Sequence, residues 1–214
     1  MISVLLPSRG RPGPLADSVA SLRDRADDPH QIEVLVAADE DDPATIDTAR
    51  TLGAVTAVSP RHGYTQMHLY INALAGQANG DWLLLWNDDA RMLTPGWDTR
   101  VYMAPKAAVL WPSTNNGPHL NVFPLVARRM VEILGHFSLA SHCDSWVQDV
   151  AHAAGLQRRI GVDILHDRCD LTGGHNDQTW RESQAGYRTG AYHSPEMVDL
   201  RCRDVEILCR SWAS

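Results

Sequence analysis

Lysine is almost missing from this chain. Lys106 stands alone, so arginine carries nearly all of the 19 basic charges, against 26 acidic residues and a formal net charge of −7. That balance argues against a protein that holds nucleic acid by bulk positive charge. The local pairs Arg128–Arg129 and Arg158–Arg159, and the cluster of Arg201, Arg203 and Arg210, read as solvated surface. Cysteine is scarce too. Cys143, Cys169, Cys202 and Cys209 show no framework spacing, which points to reduced thiols in a cytosolic protein. No apolar run approaches the length of a membrane span. The N-terminus MISVLLP has no basic segment before its apolar run, and Pro7 ends that run early. It reads as a first strand and not as a signal peptide. Repeats and low-complexity tracts are absent. What remains is a chain of 214 residues, 44% apolar, enough to fill a real core.

Strand and helix patterns alternate through the first 90 residues. Strands are expected at 2–6, 32–37, 54–58 and 82–86, and helices at 14–25, 45–52 and 65–77. This alternation predicts βαβ units and an α/β fold with a mostly parallel sheet. The second half predicts a strand at 107–111, a helix at 122–134, and a helix opened by Ser145 with Gln148 as a capping box. A strand at 160–165 follows, and then a loop-rich stretch to 193. A final helix from Ser194 carries a stripe of Val198, Cys202, Val205, Cys209 and Trp212.

Three expected strand ends put polar groups on one edge of the sheet: Pro7 to Arg11, Asp39 to Asp42, and Asn87 to Asp89. In open α/β sheets ligands bind outside such ends. The stretch GDWLLLWNDD is the most telling, since a buried apolar strand surfaces directly on two carboxylates. A Walker loop and a GxGxxG turn are both lacking, so a glycine cradle for phosphates is excluded. A divalent cation held by carboxylates is the remaining common solution.

The segments ISVLLPSRGRP, IEVLVAADEDD, GDWLLLWNDD, the Asn72-to-Gly80 spacing, and LGHF followed by CDSWVQDVAHAAG resemble a GT-A glycosyltransferase, most closely the large inverting family 2. The likeness covers roughly residues 2–166 and rests on order and spacing, not on any one motif. It implies a single GT-A domain. Residues 1–104 would bind a nucleotide-sugar, and 105–214 would carry the acceptor side, a lid and the last helix. In the family's Asp-x-Asp triplet, Asp89 falls on the metal-binding aspartate and Asn87 replaces the first. Cys143-Asp144 stands where the family has Glu-Asp, with Gly155 eleven residues after the Asp. Ile71 replaces an arginine that many members carry before the asparagine, so Arg9 or Arg11 would have to supply that donor contact.

The resemblance thus implies Mn²⁺ or Mg²⁺ at Asp89, with a late histidine, His166 or His175, as a further ligand. Asp144 is the implied general base. Asp149 is the reserve, although it lies about 140° around the helix. Pro7, Ser8, Arg9, Asp39, Asn72 and Asp88 are the candidates for holding the donor, a UDP-sugar before others. Each has a plainer reading beside it: turn formation for Asp88 and Asp89, helix capping for Asp144, a solvated acidic loop for Asp39, a hydrogen-bonded loop histidine for His166. Residues 167–183, with Gly173-Gly174 and Trp180, suit a lid that excludes water; Arg168 or Arg181 could meet a phosphate there. Trp111 and Trp180 are the candidate sugar platforms. A zinc site from His166, Cys169 and His175 lacks recognised spacing. The acceptor is expected to be soluble. Compact proteins of this style resemble phage-encoded enzymes that modify hydroxymethylated bases in DNA, an acceptor that would need an arginine-lined groove. A nucleotidyltransferase and a non-catalytic GT-A-like binding protein remain as alternatives.

Overall fold

The fold is known from a computed structural model, which describes residues 1–173, 181, 182, 184 and 191–212. Its strands are β1 (Ile2–Pro7), β2 (Ile32–Asp39), β3 (Val55–Ser59), β4 (Trp82–Leu85), β5 (Ala90–Met92), β6 (Val109–Thr114), β7 (Leu125–Ala127) and β8 (Gln157–His166). The α-helices are α1 (Pro12–Asp24), α2 (Pro43–Thr51), α3 (Met67–Gln77), α4 (Trp97–Tyr102), α5 (Arg128–Leu134), α6 (Cys143–Ala153), α7 (Cys169–Thr172) and α8 (Pro195–Ser211). All eight strands form one sheet in the order β3-β2-β1-β4-β7-β6-β8-β5.

The first four strands run parallel, with β1 central between β2 and β4. Ile2, Val4, Leu5 and Leu6 are fully buried, as a strand covered on both faces requires. Gly80 lets the chain enter β4 tightly: a Cβ there would lie 2.6 Å from the Ser3 nitrogen. Helices α3, α5, α6 and α8 cover one face, meeting in a core of Leu5, Leu74, Met130, Trp146 and Leu208. Helices α1, α2 and α4 cover the other, over Val4, Leu15, Leu22, Ala49 and Trp97. The buried indoles are satisfied: Trp97 Nε1 donates to the Leu22 carbonyl at 2.9 Å and Trp146 Nε1 to Asp204 at 2.9 Å.

The far half of the sheet is mixed. β7 runs antiparallel to both β4 and β6, β8 parallel to β6, and β5 antiparallel to β8. Here several expectations are corrected. The helix expected over 122–134 is a strand, β7, followed by a short helix, α5. Pro124 has no N–H to give a helix, and its carbonyl instead accepts from Leu85 N at 3.1 Å, drawing the segment into the sheet. β6 runs on to Thr114 past a register shift at Trp111 and Ser113. β8 begins at Gln157, earlier than the pattern suggested. The capping box at Ser145 does not form. The helix starts at Cys143, and Gln148 instead accepts from Asn121 N at 2.8 Å. The stripe on α8 holds in part: Val205 and Trp212 pack on the core with Leu200, Asp204 and Leu208, while Val198, Cys202 and Cys209 are exposed.

Candidate functional site

A cleft opens at the carboxyl ends of β1, β2 and β4. It is lined by Pro7, Ser8, Arg9, Asp39, Asp88, Asp89, Asp144 and His166, among others. Eight of the nine residues singled out from the sequence therefore share one cavity. Asn72 does not join them. Its side chain donates to the Ser138 carbonyl at 2.8 Å and accepts from Phe137 N and Ser138 N, so it closes a loop instead.

The turn after β4 is fixed from below. Trp86 is fully buried, and its Nε1 donates to Ser18 Oγ at 2.7 Å; that hydroxyl in turn donates to the Ala90 carbonyl at 2.8 Å. α1 thus clamps both ends of the Asn87–Ala90 turn. Asp88 points inward. It accepts from Ser8 Oγ at 2.7 Å and from Arg11 Nη1 at 2.9 Å. Burial pushes its carboxyl up to about 6 against the pull of Arg11.

Asp89 sits differently. Its Oδ2 lies 3.4 Å from Arg11 Nη1, and its buried Oδ1 has no hydrogen-bond partner. The nearest group to Oδ1 is His166 Nε2 at 3.2 Å. Burial opposes ionisation of Asp89, yet His166 and Arg11 outweigh it and hold the carboxyl below the ordinary range. The register of β5 against β8 makes this meeting, because Ala90 pairs with His166, and Asp167 N donates to the Asp89 carbonyl at 2.7 Å.

The loop after β6 orients the histidine ring. His166 Nδ1 lies 2.9 Å from Asn116 Oδ1, and Asn115 exchanges two bonds with the His166 backbone at 2.7 and 3.0 Å. Asn116 accepts from a proton on Nδ1; with Nε2 protonated as well the ring pairs with Asp89 Oδ1, and loss of that second proton frees the Nε2 lone pair for a cation. Two donors facing one gap are what a divalent cation fits, with a second partner on the far side of the imidazole. Among the described residues no group of three His, Cys, Asp or Glu side chains could hold a metal by itself. Asp89 and His166 would leave the remaining positions to phosphate oxygens and water, as Mg²⁺ sites do. The zinc set is not tested, because its His175 lies outside the described residues.

Asp39 closes the cleft on the β2 side. It is buried, receives the Tyr70 hydroxyl, and accepts from Arg9 Nη1 at 2.8 Å. Asp144 stands opposite in the first turn of α6. It is half-buried, its one side-chain partner among the described residues is a long 3.5 Å approach from Ser145 Oγ, and burial raises its carboxyl above the ordinary range against a backbone bond from Ser145. Asp149 turns away, accepting from the Tyr192 hydroxyl at 2.7 Å. Trp111 carries Arg159 stacked 4.2 Å from its ring centroid and lies off the cleft lining. Gly174 and Trp180 of the expected lid lie outside the described residues. Arg168 and Glu182 line the cleft, and Arg61 pairs with Glu182.

Sequence reasoning missed three contributors. Tyr70 falls inside the helix expected at 65–77, Arg11 is expected only as a donor contact, and Asn116 lies in no expected element. Arg11 had a visible signal, since Pro12 anchors it at a helix start beside the strand ends. Asn116 had none, because its partner lies fifty residues on.

No protein-family model matches the chain, and no curated protein matches it in sequence. Solved structures do match its shape. A mannosyltransferase from Pyrobaculum calidifontis, in complex with GDP-Man and Mn²⁺, superposes with a TM-score of 0.64 at 13% identity, covering 100% of this chain and 75% of that one. Glucosyl-3-phosphoglycerate synthase from Mycobacterium tuberculosis, with Mn²⁺, UDP and glucosyl-3-phosphoglycerate, gives a TM-score of 0.62 at 13% identity over 96% and 80%. Residues 1–349 of S. aureus TarS give 0.51 at 13% over 91% and 72%. At such identities the likeness establishes the fold: a single α/β domain of GT-A type with a mixed, mostly parallel sheet between helices.

Proposed function

We propose that the protein is a metal-dependent, inverting glycosyltransferase that moves a sugar from a nucleotide-diphosphate sugar to a hydroxyl group of an acceptor. One observation carries the reading: the buried Asp89 Oδ1 faces His166 Nε2 at 3.2 Å at the end of β4, in a cleft that also holds Asp144. The fold supports it, since structural neighbours were determined with Mn²⁺ and UDP or GDP-Man.

In this reading Asp39, Arg9 and the Pro7–Ser8 strand end receive the nucleoside, and Asp88 holds the loop that presents Arg11. Asp89 and His166 would hold Mn²⁺ or Mg²⁺, which supplies positive charge for the departing diphosphate. Asp144 takes the proton of the acceptor hydroxyl as its oxygen bonds to the anomeric carbon. The bond from that carbon to the diphosphate oxygen breaks in line, and the nucleoside diphosphate leaves with its electrons. Burial suits Asp144 to this work, because a raised carboxyl is a stronger base than an ordinary one once ionised.

The acceptor stays a hydroxyl compound. A hydroxymethylated DNA base draws no support from the cleft, where Arg9, Arg11 and Arg61 each pair with a carboxylate and Arg168 bonds Asp170. Among the described residues no helix is long and apolar enough to cross a membrane.

The test is thermal unfolding with UDP, GDP and other nucleoside diphosphates, each with and without Mn²⁺. The expected result is a rise in melting temperature that needs both one nucleotide and the metal and is lost in Asp89→Ala. If no nucleotide shifts the wild type, the chain is a non-catalytic relative of GT-A shape.

A further inference from the structure

Arg11 occupies an unusual position for a donor contact. It sits at the N-cap of α1, its side chain is only 11% exposed, and its guanidinium lies against both carboxylates of the β4 turn. The backbone fixes it there. Gly10 adopts a left-handed conformation with φ of 66°, its N–H donates to Asp42 at 2.6 Å, and Leu15 N donates to the Arg11 carbonyl at 2.9 Å. Pro12 then starts the helix. The guanidinium is placed by structure on both sides and is not a surface arginine that happens to reach inward.

Its charge has a consequence for the cation. Asn87 brings none, Asp88 is neutralised by Arg11, and Asp89 shares its Oδ2 with the same guanidinium. From Asp88, Asp89 and Arg11 together a bare divalent ion would therefore meet about one net negative charge, with two protein donors and a fixed positive group close by. That is little return for losing its water shell. A diphosphate changes the sum, because it brings both negative charge and oxygen ligands.

Resting on the glycosyltransferase reading, we propose that Arg11 is a positioning residue that makes metal uptake at Asp89 and His166 depend on the donor's diphosphate. Arg11 acts as the resident counter-ion of the turn. It keeps Asp88 and Asp89 in place while the site waits, and it repels a lone cation. Metal and nucleotide then enter together, so the cleft does not hold a charged metal open to water without its substrate.

The experiment is Mn²⁺ uptake, followed by loss of the free-ion electron paramagnetic resonance signal, in wild type, Arg11→Gln, Arg11→Lys and Asp89→Ala. Each protein is titrated with Mn²⁺ alone, and then with UDP and with GDP present. Wild type should take Mn²⁺ weakly alone and at least about tenfold more tightly with the nucleotide it accepts. Arg11→Gln should bind Mn²⁺ alone about tenfold more tightly than wild type, since the repelling charge is gone. Its nucleotide enhancement should shrink. Arg11→Lys, which keeps the charge, should stay near wild type. A merely structural role would predict the reverse, with weaker uptake in both variants. Uptake in Arg11→Gln equal to or weaker than wild type overturns the inference, and so does a wild type whose uptake no nucleotide improves. Asp89→Ala separates the two levels. If it binds Mn²⁺ as wild type does, the metal site itself is wrong and the inference falls with it; if it loses binding while Arg11→Gln is unchanged, only the role of Arg11 is refuted.

Discussion

The two rims of the cleft are built to opposite standards. On the rim at the ends of β1 and β2 nearly every polar group has a partner. Asp39 receives Tyr70 and Arg9, Asp88 receives Ser8 and Arg11, and Asp42 receives Gly10 N and Thr45. On the opposite rim, among the described residues, Asp144 has one long side-chain approach, and between the rims the buried Asp89 Oδ1 has only the His166 ring at 3.2 Å and no well-formed hydrogen bond. A satisfied carboxylate positions; an under-satisfied one has capacity left for a ligand or a proton. The contrast teaches where to look for chemistry: at the groups the fold has left incomplete, not at the most elaborate network.

The largest break in this contrast is expected at Asp144. Asp144→Asn keeps the shape but removes the base, so kcat should fall by about 10²–10⁴. Binding of the nucleotide with Mn²⁺, read by thermal shift, should be unchanged. Slow hydrolysis of the nucleotide-sugar, with water standing in for the acceptor, gives a turnover to measure. Burial raises the carboxyl, so the wild-type acid limb should lie above the ordinary carboxylate range of about 4. Below that limb Asp144 is protonated and cannot accept; above it the rate levels off. An acid limb near 4, or equal turnover in Asp144→Asn, assigns the base elsewhere.

A smaller break is expected behind His166. Asn116 holds Nδ1 at 2.9 Å and so sets which nitrogen faces Asp89. Asn116→Ala should leave the fold intact but weaken metal binding about 10–100-fold, the usual cost of losing a partner beyond a histidine ligand. The measurement is the Mn²⁺ concentration needed for half of the nucleotide-dependent thermal shift. If Asn116→Ala needs no more Mn²⁺ than wild type, His166 is a loop histidine and not a ligand.

The same contrast governs what could be read from sequence. β1, β2 and β4 are buried on both faces, so their composition alone marks them, and their ends gather Pro7, Ser8, Arg9, Asp39, Asp88 and Asp89. β5 and β7 are three residues each, too short to show any period, and pairing across the sheet makes them strands. β5 is the strand that brings His166 beside Asp89. The histidine was legible as a residue past a strand end, but not the register that gives it its partner. Asn72 shows the reverse failure. Its spacing from Gly80 was visible, yet spacing cannot tell whether an amide faces a ligand or closes a loop such as that at 137–138. Likewise the stripe on α8 places Val205 and Trp212 on the core but not Val198, Cys202 or Cys209, because Asp204 is drawn inward by His136 and Trp146 and takes a face that hydropathy would give to solvent.

The smallest effect expected lies wholly on the satisfied rim. Asp42 caps α2 through Thr45 N at 3.2 Å and holds the loop before α1 through Gly10 N. Asp42→Ala should cost about 1–2 kcal/mol, a cap and one loop bond, in urea unfolding at pH 7. Burial opposes the charge on Asp42, but its bonds to Thr45 and Gly10 outweigh it and lower its pKa. A lowered carboxyl stabilises the fold above the ordinary range and loses that contribution as pH falls through its folded value. The gap between Asp42→Ala and wild type should therefore narrow in strong acid. Asp42→Asn should lose less than Ala, because the amide oxygen still caps. Should the gap persist undiminished in acid, the carboxylate's charge contributes nothing, and the loop at the ends of β1 and β2 is held by shape and neutral hydrogen bonds alone.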